Sequence, residues 1–257
     1  MTDSNHAVSE KKITYRRRVL YVIFACLIVS IIFAGLVLMK KIPLTKLWAK
    51  GYEVKGVDIS HYQGKVDMPA LEKQGMQFVI IKATEGSSSV DERFEENWEN
   101  AEQTGMLTGA YHFFSFDSSG KTQAENFLHI VGDLSGKMIP VVDVEYYGDK
   151  EKNPPSKEEV IRELSKYMDT LESEYGAKPM IYTTYSVYHR YIKKEFSGYP
   201  LWIRNVYFEP GVDLGREWDF WQYSDTTELD GYQGEEKYID CNVFWAGKKE
   251  LEVYMVP

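Results

Sequence analysis

From residue 54 onward the chain alternates short apolar, often β-branched runs with helix-length segments, and that order leaves few folds open. Strands are expected at 54–60, 77–84, 106–114, 137–145 and 178–184, and helices at 68–75, 92–104, 121–131, 156–175 and 187–195. A parallel neighbour is reached only by a crossover connection, usually helical, so repeated β-then-α units imply a parallel sheet. This many units imply an α/β fold of the β/α (TIM-like) barrel kind. Three later strands, at 201–205, 218–224 and 237–242, have no clear helices between them, so the barrel should be irregular there. The best-bounded helix is 156–175. Ser156 reads as its N-cap with Glu159 three residues on, and Gly176 follows as its stop.

The N-terminus is a separate matter. Residues 19–39 form an apolar run without one charge, about 30 Å long as a helix, which is the thickness of a bilayer core. Lys11, Lys12, Arg16, Arg17 and Arg18 precede it, and Lys40-Lys41-Ile42-Pro43 follows where a cleaved leader would show small residues. A retained transmembrane signal anchor is therefore expected, with the Arg triplet favouring an N-terminus inside the cell. The expected organisation is a cytoplasmic N-terminus at 1–18, the anchor at 19–39, a linker at 40–54 and a barrel domain at 55–257. The barrel would sit outside the cytoplasm.

Charge narrows the partners. The first 50 residues carry nine lysines and arginines against two acids, which leaves the remaining 207 with 21 against 37, a net of −16. So acidic a domain argues against nucleic-acid binding. Cys26 lies in the apolar run and Cys241 in the domain, so no intrachain disulfide is expected. No Cys/His spacing suggests a metal, and no cofactor is expected.

The chemistry points to Pro140-Val141-Val142-Asp143-Val144-Glu145, a buried-strand run ending in two carboxylates. Residues two apart on a strand share a face, so Asp143 and Glu145 should stand roughly 6–7 Å apart at the backbone. Carboxylates held that close do not ionise independently, and such an acid–carboxylate pair is what glycoside hydrolysis uses. The same two residues could instead cap the next helix or pair with a nearby Arg or Lys.

Barrel chemistry sits at the C-terminal ends of the strands. There the chain places Asp58, Tyr62 and Gln63 at the end of the first strand, Lys82 and Glu85 at the end of the second, and Tyr111 and Phe113 at the end of the third. Tyr182 follows on the fifth strand, and Trp202, Trp221, Gln222 and Asp240 on the later ones. Aromatics beside carboxylates suit a sugar, whose C–H faces stack on rings while its hydroxyls take hydrogen bonds. Any one of these aromatics could equally be core. Asp58 and Asp240 could be turn or cap residues, and His112 reads as a structural histidine.

Together these segments resemble glycoside hydrolase family 25, the bacterial and phage lysozymes. The resemblance rests on Asp58-Ile59-Ser60-His61-Tyr62-Gln63, Lys82-Ala83-Thr84-Glu85-Gly86, Ala110-Tyr111-His112-Phe113, the Asp143–Glu145 segment, Leu201-Trp202-Ile203, Trp221-Gln222-Tyr223-Ser224 and Ile239-Asp240-Cys241-Asn242-Val243-Phe244. It spans about 56–244 in the family's order. It implies an irregular, flattened barrel with a glycan groove, and N-acetylmuramidase activity on the glycan strands of peptidoglycan. It also implies that Glu145 is the acid and Asp143 its partner, with Asp58 and Asp240 as further active-site aspartates. One departure is clear: Arg204 and Asn205 follow Trp202-Ile203, where the family often has alanine.

Two other functions compete. A tethered, non-catalytic glycan-binding module would keep the aromatics but need not keep four carboxylates. A barrel hydrolase of another N-acetylated glycan such as chitin would share the paired acids but not the opening and closing segments. For a tethered muramidase the expected role is remodelling of the cell's own wall, or opening it for a secretion or conjugation machine.

Overall fold

The structure, a computed structural model, describes the backbone of residues 2–257 and the side chains of residues 15–257. The chain forms two compact units that divide between Leu44 and Thr45. The first holds one long helix, α1 (Thr2–Leu38). Its stretch Tyr15–Leu38 is long and apolar enough to cross a membrane, and none of its most apolar part is buried within the protein. A helix apolar on every side is not a surface helix of a water-soluble domain, where one stripe faces the core and the rest is polar. Length and composition suit a membrane anchor or a signal peptide.

The second unit is a closed barrel. Its strands are β1 (Lys55–Ile59), β2 (Phe78–Glu85), β4 (Leu107–Phe113), β5 (Val141–Val144), β6 (Met180–Thr184), β7 (Leu201–Arg204), β8 (Phe220–Thr227) and β9 (Ile239–Phe244), with a two-residue hairpin partner of β2, β3 (Ser89–Val90). The eight main strands follow one another around the barrel in chain order, and β9 pairs with β1 to close it. The expected parallel sheet holds for all the main strands but one, within the late part where the pattern predicts irregularity. β1, β2 and β4 to β8 run parallel, but β9 is antiparallel to both of its neighbours. Residues 228–238, between β8 and β9, contain no helix. That connection is shorter than the dozen or so residues a parallel crossover needs, so the strands it joins pair antiparallel.

After the short helix α2 (Leu44–Trp48), the helices α3 (Met68–Lys73), α4 (Phe94–Ala101), α5 (Gly120–Val131) and α6 (Lys157–Tyr175) fall where the pattern predicts them. Ser156 Oγ accepts from the Glu159 N–H, and Gly176 ends α6 in the left-handed conformation that glycine tolerates best. α5 meets α6 at Gly120, where a Cβ would lie 1.7 Å from the Glu163 carbonyl oxygen, so no side chain fits. Two expectations shorten. The helix expected at 187–195 is a turn, α7 (Tyr185–Val187), continued by a π-helical turn at Tyr188–Ile192. The strand expected at 137–145 begins only at Val141. Pro140 has no N–H to donate. Met138 and Ile139 instead pair with Met255 and Tyr254 near the C-terminus.

No crossover helix covers the outer face of β8 and β9. Residues 45–54, which the pattern predicts as linker, pack on the barrel there. Thr45, Ala49 and Val54 are buried, and the Tyr52 ring lies 5.4 Å from Trp218 and 6.1 Å from Trp221. Lys46 Nζ donates to the Thr226 carbonyl at 2.9 Å. An uncovered apolar sheet face is costly in water, and this segment supplies the missing layer.

Candidate active site

The C-terminal rim of the barrel opens into a cavity of about 280 Å³. It is lined by Asp58 from β1, Lys82 from β2, Tyr111 and Phe113 from β4, Asp143 and then Glu145 from β5, Tyr182 from β6, Trp202 from β7 and Asp240 from β9, with Tyr62, Gln63 and Glu236 on loops. Strand parity explains the convergence. Asp143 and Glu145, Tyr111 and Phe113, and Asp240 and Asn242 are each two residues apart, and so share a face. The antiparallel β9 brings Asp240 to this rim with its first turn of chain rather than its last. It sits directly opposite Asp58 in the β1–β9 register. A wider opening of about 1200 Å³ runs beside this cavity past His61, Lys65 and Tyr232, but none of the four carboxylates lines it.

Beneath the cavity a hydrogen-bonded network fixes Asp58. Its Oδ2 accepts from Asn242 Nδ2 at 2.7 Å and from Gln222 Nε2 at 3.0 Å. Each amide in turn accepts from an aromatic: Asn242 Oδ1 from Trp202 Nε1 at 2.9 Å, and Gln222 Oε1 from Tyr182 O–H at 2.9 Å. With its oxygen claimed by an aromatic donor, each amide must turn its N–H₂ toward Asp58. Fully satisfied networks of this kind are rigid.

Charge is concentrated here. Burial pushes Asp58 up to about 6, against the hydrogen bonds from Asn242 and Gln222 and the pull of Arg204. Burial, then the charges of Glu145 and Asp58, hold Asp143 well above the usual carboxylate range. Asp240 is likewise raised by burial and then by Asp58 and Asp225. Burial also raises Glu145, with Arg204 opposing it most strongly and Asp58 adding to it. Four acids around one small space cannot all ionise, so the site retains protons near neutrality. Asp143 is also set apart by its Oδ1, a buried atom with no hydrogen-bond partner. Such an oxygen suits a donor brought in by a ligand.

Of the fourteen residues singled out above, eleven line the cavity. Three do not. Trp221 is one residue out of phase with Gln222, so its ring lies on the outer layer beside Tyr52, Trp218 and Tyr223, and its Nε1 donates to the Asn205 carbonyl. A one-residue offset on a strand reverses the face. Gln222 is buried and supports Asp58 from beneath. Glu85 is exposed at the end of β2 and pairs with Lys82 at 2.7 Å. Gln63 lines the cavity with both ends of its amide committed, accepting from the Ser60 N–H and donating to the Tyr238 carbonyl.

Asn242, Arg204 and Glu236 escaped the sequence reading. Asn242 stands two residues after Asp240, and that same-face spacing was the available signal. Arg204 was noticed only as a departure from the resemblance. Glu236 lies on a loop with no periodicity to mark it. His112 is buried between Thr84 Oγ1 at 2.7 Å and Gln123 Oε1 at 3.0 Å, with burial holding it down at about 4, so it stays neutral.

Comparison with known proteins agrees with this geometry. The family model for glycosyl hydrolases family 25 matches residues 57–232. The uncharacterized protein YegX of Escherichia coli K12 is 34% identical over 209 residues, 79% of this chain and 74% of YegX. Lysozyme M1 of Streptomyces globisporus is 32% identical over 212 residues, 74% of this chain and 67% of that one. The structure of a family 25 glycosyl hydrolase from Bacillus anthracis superposes with a TM-score of 0.75 at 50% identity, covering 79% of this chain and 94% of that one. The closed barrel, the carboxylate-lined rim and a family match over most of the chain lead to one conclusion: this protein is a member of glycosyl hydrolases family 25.

Proposed function

We propose that the protein is a peptidoglycan hydrolase, a muramidase cleaving the β-1,4 bond between N-acetylmuramic acid and N-acetylglucosamine. The observation that carries this reading is the convergence of Asp58, Asp143, Glu145 and Asp240 with Tyr62, Tyr111, Phe113, Tyr182 and Trp202 around one cavity. Family membership and the relative named Lysozyme M1 support the substrate class. A binding module would have no need of four buried acids, each of which costs stability when ionised.

Glu145 is the general acid. It lines the cavity just past the end of β5, and burial raises its carboxyl, which favours the protonated form that the leaving oxygen needs. Sugar binding expels cavity water and strengthens that effect. As the glycosidic bond breaks, positive charge develops at the anomeric carbon. Asp143, two residues deeper on the same face, stabilises that charge or orients the sugar's own 2-acetamido group through its unpartnered Oδ1. Asp58 and Asp240 keep the field negative where the charge develops.

The apolar helix acts as a single-pass membrane anchor with the barrel outside the cytoplasm, a reading its length, composition and flanking basic residues support. A tethered muramidase serves local wall remodelling, or opens the wall for a secretion or conjugation machine. The test is mass spectrometry of peptidoglycan digested by the full chain in detergent, wild type beside Glu145→Gln. Fragments ending in a reducing muramic acid, lost in the variant, are expected. No fragments from a folded wild type would overturn the catalytic reading, and wild-type turnover by the variant would remove Glu145 from its role.

A further inference from the structure

The rim holds five acids, Asp58, Asp143, Glu145, Glu236 and Asp240, and among the residues lining the cavity one cation, Lys82. Lys82 is already paired with Glu85 at 2.7 Å and lies over the Phe113 ring. A second cation stands just outside the lining. Arg204 is the last residue of β7, two after the cavity-lining Trp202 and so on the same face. Its register partners are Thr184 on β6 and Gln222 on β8, the latter bonded to Asp58. Its guanidinium is only partly exposed and meets Asp225 at 2.6 Å.

Register sets Arg204 opposite Thr184, one residue beyond the Thr183–Val144 pair, and so level with Glu145 two strands away. Arg204 is the strongest opposing charge on Glu145 and also opposes Asp58 and Asp240, whereas Asp225 adds to the repulsion on Asp240. A half-buried charge acts more strongly than one in bulk water because little solvent screens it. Asp225 fixes the arginine's rotamer and orients its charge.

We propose that Arg204, clamped by Asp225, is a positioning residue of the catalytic rim, holding one fixed positive charge against the Glu145 side of the carboxylate cluster. The proposal rests on the reading of Glu145 as the general acid. Arg204 makes no bond to the sugar in this account and acts only through Glu145. Its consequence is the pH at which the acid is spent. A general acid works while protonated, so activity falls as pH rises through its pKa. Arg204 favours the ionised form, which places that basic limb lower than the acidic surroundings alone would.

The other groups facing Glu145 are Asp143 from its own strand, Asp58 from β1, Lys82 from β2, Tyr111 from β4, Tyr182 from β6, Asp240 from β9 and Glu236 from the loop before it. Both cations near Glu145 are paired with acids outside the cavity lining, Lys82 with Glu85 and Arg204 with Asp225. The two members of the Arg204–Asp225 pair make opposite predictions. Arg204→Gln removes the positive charge and should move the basic limb of kcat/KM up. Asp225→Asn leaves the arginine uncompensated and should move it down.

The experiment compares pH profiles of kcat/KM on soluble peptidoglycan fragments for the full chain in detergent, as wild type, Arg204→Gln, Arg204→Lys and Asp225→Asn. The expected shift is upward by at least about half a unit for Arg204→Gln, with wild-type behaviour largely restored by lysine and a downward shift for Asp225→Asn. An unmoved limb in both Arg204→Gln and Asp225→Asn overturns the proposal, as does a rise in KM alone, which would make Arg204 a substrate contact. Titration of the ¹³C-labelled Glu145 carboxyl by NMR, in wild type and Arg204→Gln, reads the same shift without turnover. An inactive wild type whose Glu145 titration still moves as expected separates failure of the muramidase reading from failure of this one. Should Arg204→Gln not fold, the downward shift in Asp225→Asn decides the matter.

Discussion

Asp58→Asn should make the barrel more stable at neutral pH while making it a worse enzyme. Asp58 is ringed by acids, and burial moves its carboxyl from 3.8 to about 6 in the folded chain. The native state therefore binds more protons than the unfolded chain between those two values. Stability accordingly falls as pH rises through that window, and the full cost is present above about 6. A shift of about two units corresponds to about 3 kcal/mol at 1.36 kcal/mol per unit. The carboxyl keeps some contact with the cavity, which solvent screens, so a cost between about 1 and 3 kcal/mol is expected.

Asparagine keeps an oxygen to accept from Asn242 and Gln222. The network survives while one of the four clustered acids is removed. For a domain of this size the gain amounts to roughly 2–4 °C per kcal/mol, or about 2–12 °C in all. The assay is thermal unfolding of both proteins from below pH 3.8 up to pH 8. The difference should fade below pH 3.8, where Asp58 becomes protonated in both states, and grow to its full value above about 6. A difference independent of pH, or a variant less stable than wild type at pH 8, would refute the reasoning.

Other outcomes follow from the same geometry. Glu145→Gln should lower kcat by at least about 10²-fold, the smaller end of general acid–base effects, with glycan binding retained by isothermal titration. Tyr182→Phe leaves Gln222 Oε1 without its donor and frees the amide that orients Asp58, so about 1–3 kcal/mol should be lost in denaturant titrations, with a fall in kcat. Gly120→Ala forces α5 and α6 apart and should cost at least about 1–3 kcal/mol in the same measurement, with no change in kcat.

Local pattern carried the architecture a long way. Each of the first five strands and the helices between them could be read because burial repeats every two residues in a strand and every three or four in a helix. The Asp143–Glu145 pair was legible for the same reason. Trp221 was misread because a strand's period says that neighbours face opposite ways but not which of them faces in. That is decided when β8 takes its register against Arg204 and Asn242 on β7 and β9. Gln222 then becomes the inward residue and the tryptophan a roof for Tyr52.

The chain's order of residues alone thus determined an α/β barrel, an apolar N-terminal helix and a rim rich in acids, because periodicity, length and charge are local quantities. Tertiary structure decided what closes the barrel, what covers it and what tunes it. β9 turns antiparallel and sets Asp240 opposite Asp58. Residues 45–54 become the outer layer that no crossover helix supplies. The Asn242 and Gln222 amides meet at Asp58 from strands far apart in the chain. Those outcomes depend on which surfaces remain to be buried and which polar groups remain to be paired, and such remainders exist only once the rest of the barrel is in place.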